Sequence, residues 1–369
     1  MIIIKDPIHG YIELSELEEK VVDTADFQRL RRIKQLAMSY LIYPGATHTR
    51  FEHSLGTMKV AGEICPRLEI PDEMREKIRL AALLHDIGHV AFSHESERSL
   101  SAHLGTHEEM GELKVSTGEI GDVLRENYNP REIIEVGKGL GGHIIGGDVG
   151  ADRMDYLERD AYHTGVAYGV IDAQRLIHTL VLEGGELCVD ESGLAAAESL
   201  LIGRFLMFST VYFHKTVRIA SAMLNRAISL AISSGGITAG EFLDKGDEEV
   251  LLMLRECKES KPYAEALMER RFYKQACAIR SDALENPEKM EEELSEECGC
   301  EVLVDLPITP SPLRGFGVRN SRGVKSIFEV SDLVSALLST EEKRKKTIVM
   351  CPAEKRGKVA ERAEAYCTK

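Results

Sequence analysis

Apolar residues in this chain recur mostly at three- and four-residue intervals, with short extended runs at its two ends. The opening IIIKDPIHGYIEL reads as a short apolar strand, a Pro and Gly turn, and a second short strand. From about Ser15 to Ala37 the residues Leu17, Val21, Val22, Phe27, Leu30, Ile33 and Leu36 keep helical spacing with a break near Thr24, which predicts two helices. YPGATHTRFEHSLGT supplies a turn and then the start of a helix through Met58, Val60, Ala61 and Ile64, with His53 near its beginning. Residues 72 to 87 form a strongly amphipathic helix, which Gly88 is expected to end just past His85 and Asp86. Glycines crowd 137 to 150, after which ADRMDYLERDAY resumes helical spacing and places Asp152 in a first turn.

A second long helical stretch covers 194 to 233, and then the pattern changes. EVLVDLP, VKSIF and TIVMC look like strands separated by helical patterns near 331 to 338 and 354 to 366. The expected fold class is mainly α: a helical domain over 1–235, with its functional core at 45–165, and a smaller α+β domain over 236–369. The acidic stretch from Asn286 to Glu297 reads as a solvated helix face or a linker, and Arg29, Arg31, Arg32 and Lys34 as a solvated helix face.

Composition narrows the classes. With 369 residues, 43% hydrophobic and 29% charged, the chain can bury a large core and does not have the make-up of a disordered one. No uninterrupted apolar run approaches about 18 residues, and charge and proline enter by Lys5, Asp6 and Pro7, so no membrane span or signal peptide is expected and a cytoplasmic location is. A net charge of −15 disfavours a broad nucleic-acid surface. The eight cysteines lack the spacing of a disulfide scaffold, and Cys298 and Cys300 alone form too small a ligand set for structural zinc. Gly137, Gly139 and Gly142 satisfy G-x-G-x-x-G, yet the glycines and His143 that follow open no clear helix in a βαβ unit.

Chemistry concentrates in the first half, where ten of the twelve histidines precede residue 164. His53 in RFEHSLG, His85 and Asp86 in ALLHDIGH, and Asp152 in GADRMDYLERD together offer two imidazoles and two carboxylates, a complete set for one divalent metal. A lone His-Asp pair would as readily be structural. Here it ends an apolar helix, where an Asp is electrostatically unfavourable unless a cation lies beside it. Mixed nitrogen and oxygen donors suit Fe, Mn, Co, Ni, Zn or Mg, and hydrolysis of a phosphate ester is the natural chemistry.

The order of these motifs resembles the HD-domain phosphohydrolases. KDPIHGYIEL, FQRLRRIKQL, YPGATHTRFEHSLG and HDIGHVAFSHESE resemble the deoxynucleoside triphosphate (dNTP) triphosphohydrolase branch that includes the human SAM and HD domain dNTPase. TGVAYG is closer to bacterial and archaeal relatives. Over roughly residues 2 to 230 the resemblance implies cleavage of a dNTP, with dGTP a candidate preference, to deoxynucleoside and triphosphate. It implies His53, His85, Asp86 and Asp152 as metal ligands, and His89, His94 and His107 around the α-phosphate. His94 would donate a proton to the departing 5′ oxygen, with Glu97 or Glu108 orienting it. Arg50, Arg153, Arg204, Tyr212 and Lys215 would hold triphosphate and sugar, Tyr156 and Asp160 the sugar, and Gln35 and Leu36 its 3′ side. Arg153 stands where the human relative has lysine.

Asp23, Gln28 and Arg31 match an activating guanine-nucleotide site between subunits, which implies a homo-oligomer. Ile2 and Lys5, however, replace residues that help bind the activator there. Two other functions stay open: an HD-type nucleotidase or phosphodiesterase acting on another phosphorylated substrate, and a low-turnover nucleotide-binding sensor.

Overall fold

Pro7 and Gly10 interrupt the first apolar run, so β1 (Ile2–Asp6) folds back on β2 (Gly10–Leu14) with Ile4 opposite Ile12. Asp6 fixes the turn by accepting the amides of Ile8 and His9 at 2.9 and 2.8 Å. In the computed structural model, which describes residues 2–280, 286–307 and 313–367, the chain is mainly α. Ser15 and Glu18 form a capping box that starts α1 (Glu16–Val22), and the Thr24 hydroxyl caps α2 (Ala25–Arg29).

Helical spacing through Leu36 does not produce a helix to that point. After a single 3-10 turn at Leu30–Arg32 the backbone opens and pairs across the chain. The Arg50 amide donates to the Ile33 carbonyl at 2.9 Å and the Gln35 amide to the His48 carbonyl at 3.0 Å. Those bonds satisfy groups that a helix would have paired internally. Arg29 also departs from expectation: it is buried and donates to the Ile87 carbonyl at 2.9 Å rather than facing water. Burial lowers its guanidinium to about 10, which still leaves it charged at neutral pH.

The helical body continues as α3 (Arg50–Arg67), α4 (Asp72–Leu84), α5 (His94–Leu104), α6 (His107–Ser116), α7 (Gly118–Leu124), α8 (Pro130–Lys138), α9 (Leu140–Gly146) and α10 (Ala151–Thr164). Two boundaries differ from the sequence reading. Helix α4 stops at Leu84, so His85 is its C-cap and His85 to Gly88 form a turn. Helix α9 runs through the glycine-rich segment, where the sequence shows no clear helix of a βαβ unit. It follows helix α8, not a strand, so there is no βαβ dinucleotide unit.

Beyond α11 (Ala173–Thr179) come the hairpin β3 (Leu180–Glu183) and β4 (Glu186–Asp190), α12 (Leu194–Met207) and α13 (Lys215–Ser233). A π-helical turn at Phe208–Tyr212 interrupts the long stretch expected over 194 to 233. Among the described residues, Glu191–Tyr212 is long and apolar enough to cross a membrane by length and composition, and half of its window is buried in the fold. Next are α14 (Asp247–Glu256), α15 (Lys261–Met268), β5 (Lys274–Arg280), α16 (Pro287–Cys298), β6 (Leu303–Asp305), β7 (Gly317–Asn320), β8 (Gly323–Ser326), α17 (Ile327–Val330), α18 (Asp332–Arg344), β9 (Lys346–Cys351) and α19 (Arg356–Cys367).

Among the described residues, three apolar cores hold these elements. One, rich in residues of α3, α4, α10 and α12, also takes in Val318, Ile327 and Val334 from the far end of the chain. A second joins Phe92 and Leu100 to α13, α14 and α15 and to Leu303, Ile348 and Met350. The third packs α16 and α19 on the small sheet β5-β9-β6. A four-stranded sheet runs β3-β4-β7-β8, with β4 and β7 parallel and Val189 opposite Val318.

Helices α3 and α10 cross at Gly56, where a Cβ would lie 1.8 Å from Asp155 Oδ1 and 2.5 Å from Arg159 Nη2. Only a glycine admits that approach. Gly56→Ala is expected to lower folding stability by about 1–3 kcal/mol, the usual cost of overpacking, measured as a reduced denaturation midpoint.

Candidate metal centre

Three helices bring the four proposed ligands together. His53 lies one turn into α3, His85 and Asp86 follow the end of α4, and Asp152 is in the first turn of α10. His53 Nε2 lies 3.0 Å from Asp152 Oδ1, 3.3 Å from His85 Nε2 and 3.8 Å from Asp86 Oδ2. One ligand atom each of His53, His85 and Asp86 falls within 4.8 Å of the others, a spacing that suits a shared cation.

Hydrogen bonds to the other ring nitrogens aim both imidazoles inward. His53 Nδ1 donates to Asp155 Oδ2 at 2.7 Å, and His85 Nδ1 donates to the Ala82 carbonyl at 2.7 Å. Each pairing directs Nε2 toward the cluster. Burial alone would lower the His53 value, but Asp152, Asp155 and Asp86 push it up to about 10. The pocket therefore has a strongly negative potential, and the donor set fits a divalent cation, which would displace that proton.

Asp155 was not among the residues singled out from sequence. It is fully buried and accepts from His53, from His9 Nε2 at 2.6 Å, and from Arg159 at 2.8 and 2.9 Å. Arg159 in turn donates to Asp6 at 2.8 Å. The signal was available in ADRMDYLERD, where Asp155 and Arg159 are one helical turn apart, but their target is visible only once α10 lies on α3.

Asp86 joins this cluster to a second one. Its Oδ2 accepts from Arg50 Nη1 at 2.5 Å, while Oδ1 lies 3.4 Å from both His85 Nε2 and His89 Nε2. Burial would raise this carboxyl, but Arg50, His85 and His89 hold it well below the usual range. Burial and the Arg50 charge push His89 far below the ordinary imidazole value, so it is neutral at pH 7. His89 stacks on His107 at 4.1 Å, and His94 meets both rings edge-on at 4.6 and 4.9 Å. Gly88 permits this layering, since a Cβ there would lie 2.0 Å from the His107 carbonyl.

Glu97 orients two of these three histidines. It accepts from His107 Nδ1 at 3.0 Å, from the His107 amide at 3.1 Å, and from His94 Nδ1 at 3.1 Å. Burial opposes its ionisation, yet His107 and His94 hold Glu97 far below the ordinary value. Burial of His107 is outweighed by Glu97, which raises it. Glu108 is largely exposed and reaches His107 Nε2 at 3.3 Å. His94 is more than half exposed, so a ligand can reach it.

The other proposed contacts divide. Arg153 pairs with Asp148, and Arg204 lies 3.4 Å from Glu341 of α18. Tyr212, on the π-helical turn, donates to Asp160 at 2.5 Å, and His48 Nε2 donates to the other oxygen of Asp160 at 2.8 Å. Burial raises Tyr156 to about 12 and holds Tyr212 well above the ordinary phenol value, so both keep their hydroxyl protons. Gln35 Oε1 is buried without a hydrogen-bond partner, Leu36 packs beside the first core, and Lys215 is exposed at the start of α13. Asp23, Gln28 and Arg31 lie apart from the metal cluster, around the outer α1–α2 turn. Gln28 accepts from Arg31 at 2.8 Å, and Arg31 covers the Phe51 ring.

Two family models match the chain: the HD domain over residues 50–159 and the HD associated region over 171–368. An uncharacterised protein of Methanocaldococcus jannaschii is 36% identical over 96% of this chain and 80% of its own length. The deoxynucleoside triphosphate triphosphohydrolase SAMHD1 homolog of Dictyostelium discoideum is 30% identical over 67% of this chain, which spans about half (51%) of that relative. The crystal structure of a phosphohydrolase from Bacteroides thetaiotaomicron is 25% identical and superposes with a TM-score of 0.80, covering 95% of this chain and all of that one.

Removing the acceptor that aims His53 should loosen the centre without dismantling it. Asp155→Asn is expected to weaken affinity for a divalent metal by about 10–100-fold, the usual effect of losing a ligand's supporting carboxylate, read by competition with a chelator.

Proposed function

This chain belongs to the HD-domain phosphohydrolase family, and from that premise we propose that it hydrolyses deoxynucleoside triphosphates to deoxynucleoside and triphosphate. The observation that carries the reading is the shared carboxylate of Asp86, which joins the two-His, two-Asp cluster to His89 and, through Arg50, to the loop that precedes His94. A proton donor beside a metal-type ligand set, within reach of cationic side chains, is what phosphoester hydrolysis needs.

His53, His85, Asp86 and Asp152 would hold the divalent ion, which when bound polarises a phosphate oxygen and lowers the pKa of water. Arg50, Arg153, Arg204 and Lys215 would neutralise the triphosphate; in a chain of net charge −15 they supply positive charge where the substrate needs it. Water oxygen bonds to the α-phosphorus as a proton leaves it for solvent, the bond from phosphorus to the 5′ oxygen breaks, and His94, held by Glu97, donates the proton that the departing oxygen takes and regains one from solvent. His89 stays neutral beside Arg50, and Glu97 favours the protonated form of His107. The unpartnered Gln35 Oε1 offers an acceptor to the sugar 3′ hydroxyl, and the rings of Tyr156 and Tyr212 would close on the sugar. A cytoplasmic location, a preference for dGTP, a homo-oligomer and a guanine-nucleotide activator at Asp23, Gln28 and Arg31 belong to the same proposal and rest on resemblance.

Product analysis decides the reaction. Incubation of each dNTP with Mn, Mg, Fe or Co, with and without GTP, should release inorganic tripolyphosphate and deoxynucleoside. Monophosphate with pyrophosphate, or orthophosphate alone, would identify a different phosphohydrolase, and binding without turnover a sensor. His94→Ala should retain metal and lose about 10²–10⁴-fold in kcat, the range for a general acid. Asp152→Ala should lose both metal and turnover, as metal analysis and the same assay would show.

A further inference from the structure

Asp247 opens α14, in the half of the chain that carries none of the metal cluster, and its carboxylate is completely buried. The two oxygens go to two distant backbones. Oδ1 accepts the Phe92 amide at 2.8 Å, 155 residues away in sequence, and Oδ2 accepts the Lys34 amide at 2.9 Å, 213 residues away. Lys34 Nζ lies 3.8 Å from Oδ2 and donates to Glu248 at 2.9 Å, so its positive charge is shared between the two acids. Gly246 brings the helix start close, since a Cβ there would lie 2.5 Å from Arg32 Cβ and 2.7 Å from the Arg32 carbonyl oxygen.

Each amide belongs to a segment that flanks the proposed substrate. Lys34 precedes Gln35, whose buried Oε1 has no partner. Phe92 and Ser93 are consecutive non-glycine residues at φ 61° and 52°, a conformation that persists only where surrounding contacts impose it. That turn leads directly into His94, and Ser93 Oγ accepts from Arg50 Nε at 2.5 Å. A bond to the Phe92 amide is thus a bond to the piece of backbone that aims both Arg50 and His94.

We propose that Asp247 is a positioning residue for phosphoester hydrolysis: one buried carboxylate holds the Gln35 segment and the Phe92–Ser93 turn in register with the metal cluster. The HD associated region thereby completes a site whose ligands all lie in the HD domain. This inference rests on the hydrolase reading for its catalytic consequence, while the clamp itself can be measured without substrate.

The test uses the full chain and the variants Asp247→Asn and Asp247→Ser. Asn keeps the size of Asp but presents an NH₂ to one of the two amides, leaving donor against donor. Amide-resolved hydrogen exchange on the unmodified protein should find Phe92 and Lys34 protected. In the variants both should exchange at least tenfold faster, while α3, α4 and bound metal are unchanged. With dNTP substrates, kcat should fall about 10- to 100-fold, as misplacement on the ångström scale does, and discrimination against ribonucleotides should narrow.

Rapid exchange of both amides in the unmodified protein would overturn the proposal. So would variants whose exchange, kcat and discrimination match it, or a parallel loss of metal, α3 and α4 protection and turnover in both variants. An unmodified protein that turns over no dNTP would remove the hydrolase reading, and the exchange comparison would still decide for or against the clamp.

Discussion

A fully buried negative charge must be surrounded by donors, and the placement of Asp155 disciplines the half of this fold that carries the candidate metal centre. Its two oxygens accept from His53 on α3, His9 at the β1–β2 turn, and Arg159 on its own helix, while Arg159 reaches Asp6. Three elements distant in sequence are thus fixed relative to one another by one carboxylate. Gly56 leaves the space, and the ring of His53 is turned so that its free nitrogen meets Asp152 and His85. Losing any donor would leave part of that charge uncompensated, which costs far more than an ordinary hydrogen bond.

The same economy recurs at Asp86 and Asp247. Asp86 divides its oxygens between Arg50 and two imidazoles, and Asp247 divides its oxygens between two backbone amides. In each case a short acidic side chain bridges groups that packing alone would leave free to shift. The apolar cores bring the helices together, and these buried carboxylates tie the side chains and backbone segments around the candidate centre to one another.

Sequence made the candidate ligand cluster legible because its members sit in three ordered blocks, each attached to a helix boundary that periodicity could find. Helix ends were less certain: the residues after Arg32 keep helical spacing, yet their backbone bonds go to His48 and Arg50 across a turn. Arg29 looked solvated because it lies in a run of cations, and only the nearby Ile87 carbonyl explains its burial. Asp155 sat in plain view within a motif in which Asp152 and Asp160 already had proposed roles. Asp247 gave no signal, since a Gly-Asp pair before a helix is ordinary capping chemistry and its acceptor function depends on amides 155 and 213 residues away. The hairpin at Leu180–Asp190 was likewise missed, being two short strands whose partner lies far downstream.

That downstream partner sets an order of events during synthesis. Strands β3 and β4 can pair as soon as they leave the ribosome, but the open edge of β4 stays unmatched until β7 emerges and aligns Val318 with Val189. A parallel partner so remote cannot form early, because a long intervening loop must first be closed. For that interval the nascent chain carries an uncovered strand edge and a first core still lacking Val318, Ile327 and Val334. A ribosome stalled between these segments would hold every residue of the metal cluster outside the exit tunnel on a body not yet sealed, and chaperone capture should be greatest there.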